Sequence, residues 1–194
     1  MNPLKSVLGT IMSGFVLAII IILVVGIGQL NVTTLSVWFH VMFGVIWIGL
    51  LYYFNFVQVP GVGQALADKE PGPAAINKYI APRALLWFRW TALATWFTGM
   101  GLLGPNVKAA FMLSDGFVVI GIGAWLGTIM LLNVWGLIWT NQKKILGLDE
   151  KTHEPEVIAK SKVIALMASR TNTMLSIPML MCMVAYGHGN MLPF

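Results

Sequence analysis

Apolar residues run along this chain in long blocks, and polar residues gather between the blocks. Residues 6 to 67 contain no Asp, Glu, Lys or Arg. That run is too long for one bilayer crossing and fits two, with a turn over Gln29 to Thr34. The pattern predicts a first span over about residues 7–30 and a second over about residues 35–59, ending at Pro60. Glycines, prolines and mixed charge after Pro60 predict an aqueous loop with a short interfacial helix over Ala74 to Ile80. A third span is expected over about residues 84–103, closed by Gly104, Pro105 and Asn106. A fourth covers about residues 117–140 and carries Gly123 and Gly127 at a spacing that lets helices approach closely. Residues 141–170 are polar and charged, and their last nine form an amphipathic approach to a fifth span over about residues 171–188. Pro178 is expected to kink that span. The fold class is therefore all-α: one domain over residues 1–194, an integral membrane bundle of five helices. No long repeat, heptad pattern or low-complexity segment interrupts it.

Composition agrees with this pattern. Hydrophobic residues make up 58% of the 194 residues and charged residues 10%, far from a soluble average. A signal peptide is the competing reading of the first block. Its apolar core would be too long, and no small-residue cleavage site precedes a soluble domain, so a retained, lipid-facing helix is expected. The single cysteine, Cys182, excludes an internal disulfide and is expected as a small core thiol. The 12 methionines are expected to be packing.

The net charge of +5 reads as a topology signal and not as a nucleic-acid footprint. With five spans, Lys5, Lys69, Lys78, Arg83, Arg89, Lys143, Lys144, Lys151, Lys160, Lys162 and Arg170 fall on one side. Only Lys108 falls on the other. The excess of basic residues places the N-terminus in the cytoplasm and the C-terminus outside, in a multi-pass protein of the bacterial inner membrane.

Polar groups inside the spans are the candidate chemistry. Helical steps from His40 bring Gly44, Trp47, Leu51, Asn55 and Gln58 to one side of the second span. Hydrocarbon satisfies none of these polar groups, so that side should face other helices. His40 and His188 fall near the outer ends of the second and fifth spans, at similar depth. Haem b takes axial imidazoles from facing helices; Gly44 would leave room for the macrocycle, Gly187 and Gly189 would let backbone approach, and Trp47 could line the group. A copper site with Met42 or Met183 is an alternative. So is a plain reading in which His40 makes an interhelical hydrogen bond and His188 lies at the interface. At the inner level, Asn55 and Gln58 join Arg89, Asn133, Arg170 and Asn172. Guanidinium groups pair planar anions, and amides match a purine edge, which suits a small, flat, anionic substrate entering from the cytoplasm. The plain alternative has the arginines snorkelling to phosphates and the amides gluing helices together.

Several tryptophans lie near the expected interfaces and read as anchors, whereas Trp47, Trp96 and Trp125 lie deeper and could line a cofactor or simply pack. Walker loops, dinucleotide fingerprints and paired-cysteine metal motifs are absent. No carboxylate lies within a span, so a proton relay is unsupported.

Four segments carry a resemblance: WFHVMFGVIWIGLLYYFNFVQVP, LLWFRWTALATWFTG, LGTIMLLNVWGLIWTNQKK, and ASRTNTMLSIPM with the following His188. Together they resemble the membrane domain of the PuuD-type urate hydroxylases. The placing of His40 before Trp47, Ile48 and Gly49 also resembles other small haem-associated membrane families. The resemblance implies oxidation of urate to 5-hydroxyisourate, with electrons passing through haem b at His40 and His188 to a cytochrome c domain fused after the membrane part. Urate is then expected among Arg89, Asn133, Arg170 and Asn172. This chain carries no c-haem motif, so the expected acceptor is a separate cytochrome c. A second function is carried beside this one: a non-catalytic accessory subunit of a larger respiratory or photosynthetic membrane complex. Membrane lipids are expected partners in both cases, and nucleic acid in neither.

Overall fold

A computed structural model describes residues 2–26, 28 and 31–188. Six helices account for the regular structure, and no strand occurs among the described residues. They are α1 (Val7–Gly26), α2 (Val32–Asp68), α3 (Ala81–Leu103), α4 (Val107–Phe111), α5 (Val118–Ile145) and α6 (Pro155–His188). The expected first span runs past Gly26 into residues of which 27, 29 and 30 lie outside the described ones.

Local chemistry sets the helix ends. Asn31 caps α2: its side chain accepts from the Thr34 amide at 3.0 Å, and Thr34 Oγ1 accepts from the Asn31 amide at 3.0 Å. Ser6 caps α1 in the same way through the Gly9 amide. Gly104, at φ 51°, stops α3 in a conformation that only a residue without Cβ adopts freely. Pro155 opens α6, where its missing N–H has no partner to lose.

Pro60 does not end the second span. α2 runs through it to Asp68, and the loop begins at Lys69. Pro60 has no N–H for the Phe56 carbonyl and its ring crowds that turn. The helix widens into a π turn over Phe54–Gln58 just before it, which absorbs the conflict. The interfacial helix expected over Ala74 to Ile80 is no separate piece: a π turn over Ile76–Ile80 leads straight into α3. The amphipathic approach and the fifth span likewise form one helix, α6, of 34 residues, with Pro178 inside it.

α1, α2 and α5 are long and apolar enough to cross a membrane. α3 and α6, of 23 and 34 residues, have the length with more polar side chains. The core lies among α2, α3, α5 and α6 and is built from Trp47, Leu51, Phe88, Ala92, Met130, Val134 and Met179. α1 buries no residue. α5 closes on α6 at Gly123, where a Cβ would stand 3.0 Å from that of Cys182. Cys182 is buried and free, the core thiol that was expected.

Candidate functional site

The polar side chains of the bundle fall into two levels. At one, His40 reaches across from α2 to α3. Its Nδ1 lies 2.9 Å from the Thr95 carbonyl and 3.3 Å from Thr98 Oγ1. A carbonyl only accepts, so Nδ1 carries a proton. In the neutral ring that leaves the lone pair on Nε2, the tautomer a metal ligand needs. The ring lies against Gly99, where a Cβ would come within 3.0 Å of its Cε1. Gly44 also faces α3: a Cβ there would meet Thr95 Cγ2 at 3.7 Å. Trp47 is 2% exposed, and its Nε1 is a buried donor with no partner among the described residues.

His188 is the last residue of α6 and is exposed, beside Gly187. Gly189 lies outside the described residues. Tyr52 on α2 donates to Ser176 on α6 at 2.9 Å, because the Ser176 hydroxyl itself donates to the Thr173 carbonyl at 2.7 Å. His40 and His188 stand equally far along the chain from this bond. The helices are antiparallel, so both histidines lie about 18 Å from it toward the same end. Among the described residues no hydrogen bond joins them. The donor chemistry at His40 suits an axial imidazole: the ring is oriented through Nδ1 with the Nε2 lone pair left over, and the buried Trp47 N–H has no acceptor among the described residues. Met183, considered for copper, packs on α5 within 3.3 Å of a Cβ at Gly123.

The other level is an amide layer. Asn133 on α5 donates to Asn172 Oδ1 on α6 at 3.0 Å, and Asn172 donates to the Met130 carbonyl at 2.9 Å. Asn172 has no exposed surface. Three residues earlier on α6, Ser169 accepts from Asn55 on α2 at 2.8 Å. Three helices are thus tied by side-chain amides at one depth. The two expected arginines stand apart from this contact. Arg89 lies over the Trp139 ring, its guanidinium carbon 3.8 Å from the centroid, and Arg170 is exposed on α6. Trp135 donates its indole N–H to the Arg89 carbonyl at 3.2 Å, fixing α3 against α5.

Of the other deep tryptophans, Trp96 donates to Thr128 at 2.9 Å and Trp125 to the Phe111 carbonyl at 3.0 Å. Both tie helix to helix. Thr95 and Gly99, which position His40, were not singled out from the sequence. Their signal was present: Thr91, Thr95 and Gly99 are spaced four apart, a stripe of small residues down one side of α3. In the loop after α5, His153 sits 2.8 Å from Asp149 and holds its carboxyl below the usual carboxylate range. Among the described residues no three His, Cys, Asp or Glu side chains gather as metal ligands.

The sequence model of the family described as Urate oxidase N-terminal matches residues 105–192. That stretch is a little under half of the chain and is consistent with a urate-hydroxylase-type family. It takes in α4, α5 and α6, and with them Asn133, Arg170, Asn172 and His188. His40, Gly44, Trp47 and Arg89 lie before it. No curated protein and no solved structure gives a match.

Proposed function

We propose that this chain is a five-span oxidoreductase of the bacterial inner membrane that converts urate to 5-hydroxyisourate. The observation that carries the reading is the family match over α5 and α6, the helices that hold the Asn133–Asn172 contact. Urate would enter from the cytoplasmic side and be held by Arg89, Asn133, Arg170 and Asn172. To supply the positive charge a urate anion requires, Arg89 would leave the Trp139 ring and Arg170 would turn inward, and the Asn133–Asn172 contact would open to address the ring edge. In the reaction urate takes an oxygen from water and gives up two electrons and two protons.

His40 and His188 would hold haem b at the outer level, with Gly44 and Trp47 beside it. The Thr95 carbonyl fixes the His40 ring and its tautomer, and Gly99 makes room for the ring. Bound there, haem b would supply one-electron transfer toward a separate cytochrome c. The test is an optical spectrum of the purified protein with a urate-consumption assay on membranes. A sharp reduced alpha band lost in His40→Ala, and urate loss that depends on added cytochrome c, are the expected results. No urate turnover with or without cytochrome c overturns the enzyme reading.

A second reading is an accessory subunit of a larger membrane complex. The observation in its favour is α1, an apolar helix with no buried residue and open faces for a neighbour. Co-purification of a large complex, with no haem band and no urate loss, is its signature.

A further inference from the structure

The Asn133–Asn172 contact and the arginines offer urate mainly donors and charge, yet urate is itself rich in N–H groups. A ring held only by cations and N–H donors would leave its own N–H groups buried and unpaired, which weakens binding. The structure has acceptors of the missing kind. Asn55 Oδ1 and Gln58 Oε1 are both buried, and neither has a partner among the described residues. Asn55 uses its amide nitrogen twice, toward the Leu51 carbonyl at 2.9 Å and Ser169 Oγ at 2.8 Å. Its oxygen is thereby fixed as the free atom. Gln58 follows three residues later.

Both residues sit in the π turn Phe54–Gln58, and Asn133 opens the π turn Asn133–Ile138 on α5. Turns of this kind recur at functional sites. The Asn55–Ser169 bond joins this turn to α6 one helical turn from Asn172. The unpaired Asn55 oxygen therefore belongs to the amide layer, and Gln58 closes the same π turn.

We infer that Asn55 and Gln58 form an acceptor pair that takes two ring N–H groups of urate. This rests on the urate reading above. A metal ion is a poorer occupant, since two neutral amide oxygens supply neither the charge nor the number of ligands a hard cation requires.

The test uses the full chain in lipid nanodiscs, with urate, 1-methylurate, 7-methylurate and 9-methylurate as probes. Binding is read by titration, and stability by thermal unfolding without ligand. Gln58→Met keeps the volume and removes the unpaired acceptor. It is expected to unfold at the wild-type temperature or above, and to bind urate about tenfold more weakly. At least one methylurate should bind wild type weakly and lose nothing further in Gln58→Met, which identifies the N–H that Gln58 receives. Equal urate affinity in wild type and Gln58→Met overturns this inference and leaves the urate reading standing. Should Gln58→Met not fold, the wild-type series decides: three methylurates binding as well as urate overturn the acceptor pair. If urate does not bind wild type, the inference and the urate reading fall together.

Discussion

Asn172 has no exposed surface, and both ends of its side chain are engaged, one by Asn133 and one by the Met130 carbonyl. Replacing it with Leu removes a donor and an acceptor at once. The Met130 carbonyl and the Asn133 amide are left without those partners in a buried place. Orphaned groups of this kind cost about 1–3 kcal/mol each, so Asn172→Leu should lower the thermal unfolding midpoint clearly. Asn133→Leu orphans only Asn172 Oδ1 and should cost less. Unfolding both variants in the same detergent checks the order, and equal midpoints would contradict it. His40 offers a second case. Its ring rests on Gly99, and a Cβ there would already press on Cε1 at 3.0 Å. Gly99→Val should push the imidazole off the Thr95 carbonyl. If His40 ligates haem, the reduced alpha band should fall as is expected for His40→Ala, while circular dichroism shows the helices intact.

Helices α5 and α6 meet through one glycine of the pair that the spacing singled out. A side chain at Gly123 would meet Cys182 Cβ at 3.0 Å and Met183 Cε at 3.3 Å, whereas Gly127 has nothing within 4 Å. Gly123→Val must therefore part the two helices, at a cost of about 1–3 kcal/mol, and Gly127→Val should be near neutral. Melting the two variants side by side tests which glycine holds the contact. The spacing was legible in the sequence, but which member faces a neighbour depends on helix rotation, and the sequence leaves that open. The same holds along the chain. Apolar blocks, a capping Asn31 and a Gly104 stop give helices and their order. Pro60 reads as an end because proline costs a helix about 3 kcal/mol, and the π turn that relieves it has no composition of its own. At the site, the Asn133–Asn172 pairing was legible from depth, since both fall at the inner level of their spans. Direction was not, since Arg89 finds Trp139 through a contact between distant segments and Arg170 turns outward.

At the scale of the molecule the issue is how many helices cross. α1, α2 and α5 qualify by length and apolarity, and taken alone they would make three crossings. α3 does not behave as a surface helix, however. It lies antiparallel along α2, with His40 on Thr95 at one end and Phe54 edge-on to Phe88, ring centroids 5.3 Å apart, toward the other. On the five-span proposal, a partner matched over that length crosses alongside α2. α6 follows the same rule against α5, from Asn172 on Asn133 to Tyr186 near Phe117. The basic residues weigh on the same side. Three crossings would put Lys143, Lys144, Lys151, Lys160, Lys162 and Arg170 outside, while five keep them in the cytoplasm and leave Lys108 alone outside. The two schemes give opposite answers at two places. A reporter active only outside the cytoplasm, fused after Asn106, should be active, and fused after Leu148 it should be silent. The reverse pattern would mean three crossings. It would also place α3 and α6 outside the bilayer, removing the hydrocarbon that makes the amide layer and the two histidines so costly to leave unpaired.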